Sequence, residues 1–129
     1  MKEKPIELLQ AFKEMHYFKQ NNIEKLKILN WLAEELASYY KVKISDVSFI
    51  CLNPDEHSGM SSYNSHNGKL TLVNRLSLIT FFHEVGHAIF GYDEDKAQQY
   101  AIDTFKYLYP HSFNRLISIN NGRMLIKSE

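Results

Sequence analysis

The 129-residue sequence contains one cysteine, Cys51, and has a formal net charge of zero. A single cysteine excludes a framework of intrachain disulfides. Because Cys51 lies in an apolar, strand-like run, we do not assign it as a nucleophile. The fifteen basic and fifteen acidic residues cancel. The chain therefore has no overall field that would favour nucleic acid or an anionic membrane as a partner.

Long apolar runs are also missing. None approaches the roughly 20 residues that a membrane helix needs, and the charged segment from Met1 to Glu7 lacks the apolar centre of a signal peptide. We therefore expect a cytoplasmic protein. With 44% hydrophobic residues, the length fits one domain over 1–129. Its expected parts are an N-terminal helical part (1–45), a sheet with further helices (46–119) and a tail (120–129).

Hydrophobic periodicity predicts an α+β fold with a small antiparallel sheet. The Asn67-Gly68 pair favours a hairpin between the two segments that flank it. In chain order the predicted elements are a helix over 5–19, a second helix that Asn21-Asn22 can cap and that ends near Tyr40, a strand over 47–52, a hairpin of 61–64 with 69–73, a buried helix that begins after Asn74 or Ser77 and ends at Gly91, a helix from Asp93 to about Tyr109, a short helix over 112–119, and a loose strand or disordered tail from 120.

The run His83-Glu84-Val85-Gly86-His87 lies in the predicted buried helix. Side chains four apart on a helix lie almost above one another, so both imidazoles can bind one ion. Zinc sites in enzymes commonly use three protein ligands plus a water. Glu84 directly follows the first histidine and can face that water instead of the metal. The pattern therefore predicts two zinc ligands, His83 and His87, and a general base, Glu84.

A third ligand is expected just beyond Gly91, where the chain turns back. Glu94 lies on the same helical stripe as Ala97 and Ala101, which we expect to pack inward. Asp93 resembles the N-cap of that helix, and Asp95 lies on a mostly polar stripe. We therefore place Glu94 first, Asp93 second and Asp95 third as ligands. The more distant candidates are Asp103 and His111.

These residues resemble zinc-dependent peptidases of the gluzincin type, and among them the ImmA/IrrE-like group. The resemblance covers about residues 45–110. It depends on the His-Glu-x-x-His run and on Glu94-Asp95-Lys96-Ala97-Gln98-Gln99-Tyr100-Ala101, which is similar to that group's Glu-x-x-Ala-(Asn or Asp)-x-(Phe or Tyr)-Ala helix. It implies His83, His87 and Glu94 as ligands and Glu84 as the catalytic base.

The resemblance also implies a compact zincin-like minidomain, in which an edge strand beside the motif helix holds an extended peptide. Lys69–Val73 is the candidate strand. The implied activity is hydrolysis of peptide bonds by a metal-bound water that Glu84 activates. The implied substrate is a peptide or protein, such as a repressor of a mobile element. Two rivals stay open: a metal-stabilised protein-interaction module without activity, and a zinc hydrolase of a non-peptide amide.

Further polar residues have weaker assignments. Tyr63, Tyr92 and His111 are candidates for stabilising an oxyanion, although packing or surface roles are the simpler explanation for each. Asp103 or Asp95 could accept the second N–H of a ligand histidine. Two other histidines lie in polar loops, where we expect them to face solvent: His57 and His66.

Overall fold

The computed structural model describes residues 4–52, 60–120 and 123–126, and within them the chain has an α+β fold. In this part of the chain no helix is long and apolar enough to cross a membrane. In chain order the elements are α1 (Ile6–Glu14), a 3₁₀ turn (Tyr17–Lys19), α2 (Asn22–Tyr40), β1 (Asp46–Ile50), β2 (Ser62–Tyr63), β3 (Lys69–Val73), α3 (Leu78–Phe90), α4 (Glu94–Leu108), α5 (Pro110–Leu116), β4 (Ile117–Asn120) and β5 (Arg123–Ile126).

The main sheet is mixed, not antiparallel as predicted. Its strand order is β1-β3-β2, with β3 parallel to β1 and antiparallel to β2. The Asn-Gly turn does join β2 and β3 as a hairpin, with Gly68 at φ 76°. Strand β3 lies at the centre of the sheet and has neighbours on both sides. Its Leu70 and Leu72 are fully buried.

The central position of β3 makes one prediction wrong. Lys69–Val73 is not an edge strand, because β1 covers one side of it and β2 covers the other. Within the described residues, the two-residue β2 is the strand at the edge of the sheet nearest the motif helix α3. Tyr63 of β2 and the histidines of α3 line the same cleft. Any strand-like pairing with a ligand at this cleft therefore involves β2.

The outer edge of β1 is closed by a side chain of α2. Asn30 Nδ2 donates to the carbonyl of Val47 (3.0 Å), and Asn30 Oδ1 accepts from the Val47 N–H (2.8 Å). This amide occupies the place of a neighbouring strand, so both backbone groups of Val47 are satisfied. The contact fixes where the sheet lies on α2.

Both ends of the chain differ from their predictions. The first helix is shorter than 5–19, because the left-handed backbone at His16 (φ 52°) separates α1 from the 3₁₀ turn.

The predicted helix over 112–119 is wrong at both ends. Pro110 stops α4 but also begins α5, a position where its missing N–H has no cost, and β4 then pairs with β5 as a hairpin. Ile117 and Ile119 alternate with small polar residues in β4, which is a strand pattern.

The core lies where α2, β3, α3 and α4 meet. The predicted inward stripe of α4 is confirmed, because Ala97, Ala101 and Phe105 are buried. Trp31 of α2 is partly buried against this core. The core side chains with no exposed surface are Leu9, Phe12, Tyr17, Leu29, Leu32, Leu36, Leu70, Leu72, Phe81, Phe82, Val85, Ala97 and Ala101.

Candidate metal centre

Helix α3 carries the His-Glu-x-x-His run. Ser77 caps it, its hydroxyl oxygen accepting from the N–H of Thr80 (3.3 Å), and Gly91 ends it with a positive φ of 69°. The end at Gly91 was predicted, and Ser77 is one of the two caps that the sequence left open, the other being Asn74. One turn apart on this helix, the imidazole rings of His83 and His87 have centroids separated by 5.0 Å. Neither ring is more than about a fifth exposed.

Glu94 contacts both imidazoles from the first turn of α4. Its Oε1 lies 2.6 Å from His83 Nε2, and its Oε2 lies 2.9 Å from His87 Nε2. One donor atom from each of the three residues lies within 4.8 Å of the others. His83, His87 and Glu94 are therefore positioned to hold a metal ion.

The other acids near the turn are used differently. Asp93 caps α4, and its Oδ1 accepts from the N–H of Lys96 (3.0 Å). Asp95 is exposed, and Asp103 accepts from the side-chain amide of Gln99 (2.8 Å). His111 is an exposed residue of α5 and is not part of the donor group. Of the five candidates, only Glu94 joins the two histidines.

A glycine inside the motif lets the two helices approach. A Cβ added at Gly86 would lie 2.7 Å from Ala97 Cα and 2.8 Å from the Ala97 carbonyl oxygen. Any larger residue would push α3 and α4 apart, because those atoms are backbone and cannot rotate away. The close approach places the first turn of α4, with Glu94, beside the histidines of α3.

The second nitrogen of His87 is also held. His87 Nδ1 lies 2.8 Å from the carbonyl oxygen of Gly91. An N–H at Nδ1 leaves the Nε2 lone pair free for a metal, and such a contact typically orients a ligand histidine. The predicted partners, Asp103 and Asp95, do not fill this role. The acceptor is a backbone carbonyl, and the backbone of Gly91 (φ 69°, ψ −138°) directs it there.

Glu84 is buried beside this cluster, with 8% of its surface exposed. Burial raises the pKa of Glu84 from 4.5 to about 7. The charge of His87 and a hydrogen bond from the backbone N–H of Tyr63 lower it, while the negative charge of Glu94 raises it. A carboxyl group with a pKa near neutrality can both accept and donate a proton at physiological pH.

Burial also acts on His83. It lowers the pKa of the imidazole, and the charge of His87 lowers it further, whereas Glu94 raises it through its charge and a hydrogen bond. The net effect favours the neutral ring. Neutral imidazole is the form that binds metals, so the protonation state suits the role that the geometry allows.

A cleft of about 300 Å³ opens onto the cluster. Tyr63 lines one side of it, but its hydroxyl donates to the carbonyl of Lys43 (2.5 Å) and so is engaged outside the site. Tyr92 also lines the cleft and is 92% exposed. His111, the third oxyanion candidate, is not among the lining residues.

Three contributors were not predicted: the close contact at Gly86, the carbonyl of Gly91 and the backbone N–H of Tyr63. The glycine inside His83–His87 was a usable signal, since glycine within a buried helix often marks a close approach.

His66 is exposed, as predicted, and the prediction for His57 lies outside the described residues. Cys51 is exposed, not enclosed by apolar residues, and does not line the cleft.

Comparisons with protein-family models, with curated proteins and with solved structures found no match. Any assignment of function therefore depends on the arrangement of these residues.

Proposed function

We propose that this protein is a zinc-dependent peptidase, in which His83, His87 and Glu94 bind zinc and Glu84 is the general base. One observation carries the proposal: a buried carboxylate lies directly beside three converging metal donors. A metal that only stabilised the fold would need no acid at position 84. The catalytic arrangement needs one, because water must lose a proton when it attacks a carbonyl.

The donor set suits zinc. Two imidazole nitrogens and one carboxylate oxygen are a common zinc ligand set in hydrolases, and three protein ligands leave a coordination position open. Calcium and magnesium prefer sites built of oxygen atoms alone. When bound, zinc would supply Lewis-acid chemistry, polarising the substrate carbonyl and acidifying a water molecule.

Glu84 would perform the proton transfers. Its carboxylate interacts with the backbone N–H of Tyr63 and faces the same cleft as the three donors. It would take a proton from the attacking water and deliver it to the nitrogen of the leaving amine. In the metal-free fold, burial raises the pKa of this carboxyl group, which makes it a better proton acceptor than an exposed glutamate.

Strand β2 supports a peptide as the substrate. Asn64 N–H donates to the carbonyl of Lys69 (2.9 Å), and the register pairs Tyr63 with Leu70. Because hydrogen-bonded and non-hydrogen-bonded pairs alternate along antiparallel strands, the backbone groups of Tyr63 point away from β3. They face the cleft, where the Tyr63 carbonyl can accept a hydrogen bond from an extended peptide while the Tyr63 N–H contacts Glu84.

The test uses the zinc-loaded protein and a mixture of quenched-fluorescent peptides with randomised sequences. Wild type should bind one zinc per chain and hydrolyse a subset of the peptides. Glu84→Gln should retain zinc and lose turnover, while the matched control Glu35→Gln, at an exposed position of α2, should retain both. Full activity in Glu84→Gln would refute the mechanism. A wild type that binds zinc but hydrolyses no peptide would favour a metal-stabilised interaction module.

A further inference from the structure

The cleft offers a peptide very little backbone to pair with. Strand β2 has only two residues, and Ser62 directs its backbone groups to β3 because its pair with Thr71 is of the hydrogen-bonded kind. Tyr63 faces the cleft, but its N–H is already bonded to Glu84. Its carbonyl is the remaining backbone group of β2 that faces a ligand. Strand pairing alone is therefore a weak anchor, and side-chain contacts must contribute most of the selectivity.

Among the described residues, the cleft also offers no charge that is free to select a charged side chain. Glu84 and the three metal donors are its ionisable groups, and each has a role in the chemistry. The other lining residues of the described chain are uncharged: Met60, Ser61, Ser62, Tyr63, Ser65, Gly91 and Tyr92. A charged side chain entering here would lose water without gaining an opposite charge.

Two of these uncharged residues are large, apolar and almost fully exposed. Met60 lies just before β2 and is 84% exposed. Tyr92 lies between α3 and α4, two positions before Glu94, and is 92% exposed. Single exposed apolar residues are common. Here two of them line the same cleft as the metal donors, from two separate connecting segments of the chain.

We propose that Met60 and Tyr92 select peptides with a large, uncharged apolar side chain next to the bond that is cleaved. Such a side chain would contact the thioether of Met60 and the ring of Tyr92, and would remove apolar surface from water on both sides. Methionine adapts to different shapes, so the preference is for an apolar class and not for one amino acid. This inference depends on the proposed peptidase function.

The test measures binding, so it does not need turnover. Two peptide hydroxamates are compared on the zinc-loaded protein, identical except that the residue next to the zinc-binding group is Leu in one and Asp in the other. The Leu compound should bind at least about tenfold more tightly. The double variant Met60→Ser/Tyr92→Ser should reduce this ratio to near one with zinc content unchanged. Tyr39→Ser, an exposed tyrosine of α2 outside the cleft, should leave the ratio as in wild type.

The possible failures are distinguishable. Equal binding of the two compounds to wild type, or a ratio that survives in the double variant, would overturn this inference alone. If wild type prefers the Leu compound but hydrolyses no peptide, the proposed function is overturned, while the inference about the selectivity of the cleft stands. Failure of wild type to bind zinc would overturn both.

Discussion

Gly86 and Ala97 form a close contact between helices at the candidate metal centre, since a Cβ at position 86 would lie 2.7 Å from Ala97 Cα. The contact joins the two helices that carry the donors, α3 and α4. Glu94, three positions before Ala97, reaches both imidazoles only at this helix spacing. The small residue inside the His-Glu-x-x-His run thus has a geometric role, although it binds no metal.

Gly86→Ala should therefore weaken both stability and metal binding. Alanine favours a helix by about 1 kcal/mol over glycine, but overpacking against a rigid backbone typically costs about 1–3 kcal/mol. We expect a lower melting temperature and weaker zinc binding, measured by thermal unfolding and by competition with a chelating dye. Adding Ala97→Gly should not rescue the variant, because the clash is with backbone atoms. A Gly86→Ala protein as stable as wild type with full zinc affinity would contradict this explanation.

Glu94→Ala should remove the third donor. We expect zinc affinity to fall by at least about 100-fold, more than is typical for residues that only orient a ligand. Zinc content after dialysis against a weak chelator measures the effect. Asp95→Ala is the matched control, because its carboxylate is in the same turn but outside the donor group, and it should retain zinc.

Asp93→Ala separates metal binding from helix capping. It removes the N-cap of α4, so stability should fall by about 0.5–2 kcal/mol, with zinc still bound. If Asp93→Ala lost zinc and Glu94→Ala kept it, Asp93 would be the third ligand instead.

Gly91→Ala should impair the orientation of His87. No atom lies within 4 Å of the added Cβ, so only the backbone conformation, with φ 69°, opposes the change. The chain would relax and move the carbonyl that contacts His87 Nδ1. We expect zinc affinity to fall about 10- to 100-fold, together with a moderate loss of stability. A loss of stability with unchanged zinc affinity would show that the carbonyl contact does not matter.

Glu84 should make the metal-free protein less stable as pH rises. Its pKa is about 7 in the fold against an ordinary value of 4.5, so the folded state retains a proton that the unfolded state has released. The stabilising contribution is complete below pH 4.5 and is lost as the pH rises through 7. At about 1.4 kcal/mol per unit of pKa, the full effect is about 3 kcal/mol.

The measurement is urea unfolding of chelator-treated wild type and Glu84→Gln at pH 4.5 and pH 8. Glutamine does not titrate, so the variant should gain stability relative to wild type as the pH increases. The other ionisable groups contribute to the pH dependence of both proteins, so their effects largely cancel in the difference between wild type and variant. A constant difference between the two proteins across this range would mean that Glu84 is not buried as described.

The parts that sequence could predict are those set by nearby residues. The bounds of α3 follow from the cap at Ser77 and the glycine at 91. The position of Glu94 on the side of α4 that faces α3 follows from the helical spacing it shares with Ala97. The hairpin of β2 and β3 follows from its Asn-Gly turn. Each of these features depends on side chains within a few turns of one another, where periodicity and capping act.

The parts that sequence could not predict depend on distant partners. The parallel pairing of β1 with β3 needs the amide of Asn30 to place β1 on α2, and no local pattern reveals that contact. The hydrogen bond from Tyr63 to Glu84 likewise joins a strand to a helix. The Gly91 carbonyl contacts His87 because of the backbone conformation at position 91. A glycine permits this conformation but does not dictate it. Non-local pairing of this kind is decided by tertiary packing.

All three metal donors lie between positions 83 and 94, within one helical hairpin. The entropy cost of bringing them together is small, because the cost of closing a loop increases with its length and this segment is short. The partner that fixes Glu84 belongs to β2, which precedes the hairpin and needs the sheet to form. During folding, we therefore expect the hairpin to capture its ion before the base is in position. In the proposed peptidase, a newly made chain could then bind metal early and would become active toward polypeptides only once its sheet has assembled.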